Sequence, residues 1–314
     1  MYIVKKITKI IAAFLCSALM AGCSGSTSSE APVNSSSDIG VTSDSGNSTV
    51  TNESEPAADS TVTPETTSAA STPETTSAAS TLETTSAAST PETTGTAIVR
   101  DLDYEWDKVI ALTFDDGPNT STTYEVLEVL KKHGVVASFF LIGNNINEES
   151  AKAVKYAYDL GCEIDNHSKS HNYMNEMSAE ECAAEIKYVD DKVFEITGEH
   201  TKFFRPPYLA IDFPMWDYIE IPFIAGIGCD DWNPKVDVDR RVAVIEKKAK
   251  DCAVILMHDA EGNSQTVEAI DRIIPDLKAQ GYKFVTVSEL FEAKGITPAE
   301  DILYSNVMQT GTWS

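Results

Sequence analysis

The stretch from residue 109 to residue 118 reads VIALTFDDGP and gives the clearest indication of the fold. Residues 109–114 form a nearly continuous apolar run, which is typical of a β-strand covered on both faces. Residues 115–118 have the composition of a turn. Residues 123–133 then place apolar side chains at helical spacing, and Gly134 follows where a helix C-cap is expected. The stretch therefore predicts one strand–turn–helix unit.

The same unit recurs along the chain. Further apolar runs occur at residues 137–142, 163–165, 202–204, 223–227, 253–257 and 283–287. Amphipathic stretches lie between runs at residues 149–160, 178–197, 239–249 and 266–280. This alternation predicts an α/β fold with parallel strands, and seven runs favour a distorted (β/α)7 barrel over an open sheet. We expect a single domain over residues 104–297, followed by a C-terminal tail over residues 298–314.

Residues 1–23 have the pattern of an export signal. Lysines at positions 5, 6 and 9 precede an apolar core at residues 10–20, and Leu-Met-Ala-Gly-Cys ends at Cys23. The apolar core is shorter than the ~20 residues of a spanning helix. The residues before Cys23 resemble a bacterial lipobox, which implies lipid attachment at that cysteine and a place on the extracellular face of a bacterial cell membrane. The alternative is an ordinary secretory signal that contains a cysteine by chance.

Residues 24–100 are dominated by Ser, Thr, Ala, Glu and Pro. The nine-residue sequence TPETTSAAS occurs at residues 63–71 and again at residues 72–80. A short polar repeat cannot bury a core, so we expect a disordered linker that holds the folded domain away from the membrane.

The charge and the cysteines restrict the classes of partner. The formal net charge of −25 argues against nucleic acid and anionic lipid headgroups, so we expect membrane contact through the lipid anchor only. We also expect a monomer. The cysteines at positions 162, 182, 229 and 252 are widely spaced and favour buried free thiols over disulfides, which stay the alternative.

Polar residues follow five of the apolar runs directly. They are Asp115 and Asp116, His167 and His171, Arg205, Asp230 and Asp231, and His258. In a βα barrel the carboxyl ends of the strands meet on the face that carries the active site. We therefore expect these side chains to converge on one rim.

His167 and His171 are four residues apart. On a helical turn this spacing would direct both rings the same way, and a neighbouring carboxylate would complete a metal site with open positions. Of two adjacent aspartates, one can bind metal while the other acts as a base. The alternatives are a solvent-facing histidine pair and a structural Asp-Asp-Gly-Pro turn.

Five segments resemble, in order, the motifs of the polysaccharide deacetylase family, also known as the NodB homology domain or carbohydrate esterase family four. They are TFDDGP at residues 113–118, NHSKSH at 166–171, RPPY at 205–208, DW at 231–232 and ILMHD at 255–259. The resemblance covers roughly residues 104–292 and implies a metal-dependent hydrolase that removes acetyl groups from a polysaccharide.

The resemblance also implies a role for each matching residue. Asp116, His167 and His171 would bind one divalent ion, Zn²⁺ first and Co²⁺ or another divalent ion as alternatives. Asp115 would be the general base and His258 the general acid, steadied by Arg205 and Asp231 respectively. The Tyr208 N–H would stabilise the oxyanion, and Pro207 and Trp232 would contact the substrate.

Two departures from the family pattern leave questions open. The spacing before Trp232 leaves the choice between Asp230 and Asp231 undecided, and Asp165 stands where the family has glycine, adding charge near the metal. Trp216, Tyr208 and Trp232 could each stack on a sugar ring or belong to the core.

The substrate expected from the resemblance is acetylated xylan, peptidoglycan or a chitin-like polymer. The segments at residues 139–145 and 231–234 look like those of bacterial acetylxylan esterases, yet a tethered enzyme suits peptidoglycan equally. The acetyl group could therefore be bound to oxygen or to nitrogen. The alternative function is a glycan-binding cell-surface lipoprotein that has lost catalysis.

Overall fold

The computed structural model describes residues 95–100 and 108–311. The predicted signal with Cys23 and the predicted linker up to residue 94 lie outside the described residues, as do residues 101–107 and 312–314. Among the described helices, none combines the length and the hydropathy that a membrane crossing requires.

Seven strands are present in the described ranges. They are β1 (Lys108–Asp115), β2 (Ser138–Leu141), β3 (Glu163–Asn166), β4 (Phe223–Ile224), β5 (Val254–His258), β6 (Tyr282–Val285) and β7 (Leu303–Tyr304). The α-helices are α1 (Thr122–His133), α2 (Ser150–Asp159), α3 (Ala179–Thr197), α4 (Met215–Tyr218), α5 (Val238–Lys248), α6 (Ser264–Ala279) and α7 (Val287–Ala293). Short 3₁₀ helices lie at Gly143–Asn145, Met174–Glu176 and Pro207–Leu209.

Strand β1 is central to a parallel sheet with the order β3-β2-β1-β5, and β6 pairs with its first half. Single parallel bridges continue the pairing from Asn166 to Phe204, from Phe204 to Phe223, and from Ile227 to Ile255. Because β5 pairs with β1, these links run around a ring. The predicted α/β fold with a parallel sheet is confirmed, and its ring is irregular because several links are single bridges.

The predicted strand at residues 202–204 is reduced to the bridges at Phe204. Pro206 and Pro207 follow it almost at once, and proline has no N–H with which to extend a ladder. The chain turns instead into the 3₁₀ helix Pro207–Leu209, which brings that segment over the carboxyl ends of the strands.

The segment after residue 297 differs from the predicted tail. Leu303 and Tyr304 form β7, which pairs with β4, and Val307 is 1% exposed. The Ala225 N–H donates to the Tyr304 carbonyl at 2.8 Å, and the Val254 N–H donates to the Ser305 carbonyl at 3.1 Å. This segment is therefore part of the fold. A two-residue strand is too short to produce a periodic sequence signal.

Strand β1 is buried on both faces, as its apolar run predicts. Ile110, Leu112 and Phe114 pack in the cluster that most of the helices share, whereas Val109 and Ala111 pack in a second cluster, made of inward-facing strand residues and residues of α7. Alternation along the strand places Thr113 and Asp115 on the inner side too. The inner face thus becomes polar at the carboxyl end of β1.

The cysteines agree with the preferred expectation. Cys162, Cys182, Cys229 and Cys252 are all buried, and each is a free thiol.

Candidate active site

A cleft of about 490 Å³ lies at the carboxyl ends of the strands. The predicted residues that line it are Asp115, Asp116, His167, His171, Tyr208, Asp230, Asp231, Trp232 and His258. Pro206 rather than Pro207 lines the cleft, and Pro207 is buried. A larger hollow of about 570 Å³ surrounds Glu163 at the start of β3 and contains none of the predicted site residues.

Asp116, His167 and His171 offer three ligand atoms within 4.8 Å of one another. Asp116 Oδ1 lies 3.4 Å from His171 Nε2 and 3.7 Å from His167 Nε2. This oxygen is buried and has no hydrogen-bond partner in the described part of the chain. An unpaired buried carboxylate oxygen is costly unless it meets a cation. A His₂-carboxylate set of this kind fits a divalent ion such as zinc.

A hydrogen bond to His167 and the burial of His171 prepare the two imidazoles as ligands. His167 Nδ1 lies 2.7 Å from the Arg205 carbonyl oxygen, which can only accept, so the Nδ1–H donates and the Nε2 lone pair faces Asp116. Partial burial lowers the pKa of His171 below its usual value. The lower pKa favours the neutral imidazole that metal binding needs.

The two histidines do not lie on a helical turn, so the predicted helical turn is wrong. Ser168 and His171 both have left-handed backbones, with φ of 67° and 58°. The Ser168 N–H donates to Asn166 Oδ1, and the His171 N–H donates to Ser168 Oγ, each at 3.0 Å. Short polar side chains compete with helical hydrogen bonds in this way. The resulting tight loop still brings the ring centroids within 4.8 Å.

Asp115 is held by a buried arginine. Asp115 Oδ1 accepts a hydrogen bond from Arg205 Nη1, and Arg205 is fully buried. Arg205 also donates to Thr113 Oγ1 at 2.9 Å and to the Ala225 carbonyl at 2.6 Å. Burial by itself would raise the pKa of Asp115, but the opposing interactions, of which the charge of Arg205 is the largest, lower the pKa below its usual value. The site therefore keeps Asp115 as a carboxylate.

His258 is paired with Asp231 rather than with Asp230. Asp231 Oδ1 lies 2.9 Å from His258 Nδ1, and Asp231 Oδ2 accepts the His258 N–H at 2.8 Å. Asp230 is exposed. Burial opposes protonation of His258, but the hydrogen bond and charge of Asp231 raise its pKa to about 9. His258 is thus a protonated group at neutral pH.

Exposed aromatic rings border the cleft. Tyr208 and Trp232 are 57% and 65% exposed, whereas Trp216 packs on Phe223 at 4.3 Å in a buried cluster. Tyr173, which was not among the predicted site residues, stacks on Tyr208 with ring centroids 4.3 Å apart. Its sequence signal was weak, namely an aromatic residue two positions after His171.

Asp165 lies deeper than expected and does not extend the metal site. Its Oδ1 accepts the N–H groups of Lys202 and Phe203 at 3.1 Å each. Burial and then the neighbouring charge of Glu163 raise its pKa well above the usual value. Asp165 therefore holds the 202–204 segment against β3.

Comparisons with known proteins agree with this geometry. Residues 104–220 match the family model described as polysaccharide deacetylase. The chain is 46% identical over 201 residues to a bifunctional xylanase/deacetylase from Pseudobutyrivibrio xylanivorans, covering 64% of this chain and 33% of that protein. It is 35% identical over 193 residues to the peptidoglycan-N-acetylglucosamine deacetylase PgdA of Listeria monocytogenes, covering 60% and 40%.

A solved structure resembles almost the whole described domain. It is a family 4 acetyl xylan esterase from Clostridium thermocellum in complex with a cobalt ion, with 35% identity and a TM-score of 0.62. The match covers 64% of this chain and 99% of that one. In contrast, the chain spans only 33% and 40% of the length of the two relatives above.

Proposed function

This chain belongs to the polysaccharide deacetylase family, and we propose on that basis that it removes acetyl groups from an acetylated polysaccharide by metal-dependent hydrolysis. The observation that carries the proposal is the unpaired Asp116 Oδ1, which faces two imidazole Nε2 atoms. The ionised Asp115 and the protonated His258 line the same cleft.

Asp116, His167 and His171 would hold the ion. A bound divalent ion supplies Lewis acidity to the acetyl carbonyl and lowers the pKa of water toward ~7. The two histidine ligands favour Zn²⁺, and Co²⁺ is the second choice. The cobalt ion in the related esterase supports a divalent ion in general.

The side chains of this protein move the protons. Asp115 Oδ1 is engaged by Arg205, so Oδ2 is the oxygen that takes a proton from the attacking water. The water oxygen bonds to the acetyl carbon and the carbonyl oxygen becomes an oxyanion; the carbonyl then re-forms as the bond from that carbon to the sugar oxygen or nitrogen breaks. His258 Nε2 gives a proton to the leaving atom, because its Nδ1 is engaged by Asp231. The Tyr208 N–H would donate to the oxyanion, and the products are acetate and the deacetylated sugar.

Acetylated xylan is the substrate that we propose first. The relative with 46% identity is a bifunctional xylanase/deacetylase, and the matched cobalt-containing structure is an acetyl xylan esterase. Peptidoglycan is the second candidate, because PgdA is 35% identical over 193 residues. The exposed rings of Tyr208 and Trp232 beside the cleft suit stacking on sugar faces in either polymer.

We also propose that Cys23 carries the lipid anchor and that the enzyme works at the extracellular face of the cell membrane. The lipobox-like residues before Cys23 and the repetitive polar segment after it support this proposal.

Acetate release from acetylated xylan and from peptidoglycan, measured side by side, tests the function. Release should stop with a chelator and return with Zn²⁺ or Co²⁺. Binding of either glycan without acetate release, in protein shown to contain metal, would favour the non-catalytic lipoprotein instead.

A further inference from the structure

The carboxylate that holds His258 is itself held from behind by helix α6. Asp231 Oδ2 accepts a second hydrogen bond from Thr266 Oγ1 at 2.7 Å. Thr266 is 0% exposed and lies in the first turn of α6, outside the cleft lining. Thr266 Oγ1 also lies 2.9 Å from Arg241 Nη1, on α5. A continuous chain of contacts therefore leads from Arg241 to the general acid.

The direction of these hydrogen bonds is determined by their chemistry. A guanidinium can only donate, so Arg241 donates to the Thr266 oxygen. The single hydroxyl hydrogen of Thr266 is then free to point at the Asp231 carboxylate. Successive bonds that run the same way polarise one another, and they are strongest where they end on a charge.

A second arm of the same network fixes the backbone around the acid. Asn263 Oδ1 accepts from Arg241 Nη1 at 2.7 Å, which determines the orientation of its amide. The Asn263 Nδ2 group then donates to the His258 carbonyl at 3.0 Å and to the Asp231 carbonyl at 3.3 Å. Arg241 thereby restrains both members of the Asp231–His258 pair.

The charge of Arg241 has an unusual setting. Arg241 is 0% exposed, and its remaining hydrogen bonds go to the carbonyls of Val236 at 2.9 Å and Asn233 at 3.4 Å. These four acceptors are all uncharged, and the negative charge that Arg241 reaches is that of Asp231, through Thr266. A buried guanidinium is costly unless it is balanced, so the network couples the two charges.

We propose that Arg241, Thr266 and Asn263 form a positioning network that orients Asp231, and through it His258, for protonation of the leaving group. The proposal rests on the deacetylase function proposed above. These three residues lie outside the cleft and act only through Asp231 and His258. Arg205 differs from them because it donates a hydrogen bond to the general base Asp115 and not to the Asp231–His258 pair.

The test uses substrates that differ in their need for an acid. The leaving group of 4-nitrophenyl acetate departs as a stable phenolate, whereas an acetylated xylo-oligosaccharide must release an alkoxide unless it is protonated. In the full metal-loaded chain, Thr266→Val should lower kcat for the sugar acetate by about 10–100-fold. The aryl acetate should lose less than about threefold, with KM and metal content unchanged.

Thr201→Val is the matched control. Thr201 is also buried, and its hydroxyl lies 3.0 Å from a carboxylate oxygen, Asp190 Oδ1, but neither residue lines the cleft. This variant should leave both rates unchanged. An equal loss on both substrates in Thr266→Val would show a general structural role and overturn the proposal.

A measurement independent of activity separates this proposal from the proposed function. The His258 Nδ1 proton, observed by NMR in the zinc-loaded full chain, should shift in Thr266→Val and stay in place in Thr201→Val. An unmoved resonance would overturn the network. Absence of acetate release by the unmodified chain, together with a shifted resonance, would overturn the deacetylase function and leave the network standing.

Discussion

Replacing Asp115 with asparagine tests how two adjacent aspartates divide their work. The amide oxygen of asparagine can still accept the Arg205 hydrogen bond, but the amide cannot take a proton from water. We therefore expect kcat to fall by about 10²–10⁴-fold. Metal content should stay the same, because Asp116 Oδ1 is the carboxylate oxygen of the three-residue ligand set.

The structure also gives the expected cost in stability. Asp115 and Arg205 are a buried pair, 2% and 0% exposed, and removing one partner of such a pair costs about 3–5 kcal/mol. Asparagine keeps the acceptor, and Arg205 keeps its bonds to Thr113 Oγ1 and the Ala225 carbonyl. We therefore expect a smaller loss, about 1–3 kcal/mol, and a folded variant.

The pH dependence of that loss has a definite sign. The pKa of Asp115 is lowered in the folded state, so its charge contributes stability above about pH 4, near its ordinary pKa. This contribution disappears as the pH falls through the folded-state pKa. The difference in free energy of unfolding between the parent protein and Asp115→Asn should therefore shrink as the pH is lowered below about 4.

Asp116→Asn is the matched variant on the same turn. It should weaken metal binding, and excess Zn²⁺ should restore part of its rate. Metal content by elemental analysis, acetate release and thermal melting, measured on both variants, complete the assay. Loss of metal from Asp115→Asn, with full metal and no activity in Asp116→Asn, would require the two roles to be exchanged.

Three further predictions follow from the same contacts. His171→Ala should lower metal occupancy at least about tenfold by equilibrium dialysis, because two ligands remain; full occupancy would contradict the ligand set. The pKa of His258 is raised to about 9, so kcat/KM should fall as the pH rises through about 9. Asp231→Asn should move this alkaline limb of the pH–rate profile toward lower pH. An alkaline limb that stays in place would exclude His258 as the acid. The pKa of buried Asp165 is raised well above its usual value, so ionisation of this carboxyl disfavours the folded state at neutral pH. Asp165→Asn should therefore raise the melting temperature by roughly 2–4 °C at pH 7 and by less at pH 4. A melting temperature below that of the parent protein at pH 7 would refute this prediction.

Most of the sheet and the rim of the cleft could be predicted from local sequence. Strand β1 has an apolar run because both of its faces are buried, and the polar residues after it lie where parallel strands end. The pairing of Asp231 with His258 required the structure, because Asp230 and Asp231 are equivalent in composition and only backbone geometry separates them. Asp230 has a left-handed backbone with φ of 58°, and it is the next residue, Asp231, whose carboxylate contacts His258.

The remaining features depend on contacts that leave no local pattern. Strand β7 is two residues long and is stabilised by pairing with β4, some 80 positions earlier in the chain. Thr266 and Asp231 are 35 positions apart, and nothing in an amphipathic sequence pattern shows that a given threonine will face a carboxylate. The loop of His167 and His171 follows from hydrogen bonds of Asn166 and Ser168, which a spacing rule for helices does not contain.

The charges around the cleft explain why these contacts belong together. Asp115 is balanced by Arg205, and Asp231 is balanced by His258 with Arg241 behind it. Asp259 is fully buried beside them, and burial followed by the charges of Asp116 and Asp115 raises its pKa to about 7. Asp116 differs from these carboxylates because its unpaired, buried Oδ1 faces two imidazoles. A divalent cation held by Asp116, His167 and His171 would balance the Asp116 carboxylate and would supply Lewis acidity in the cleft that Asp115 and His258 also line.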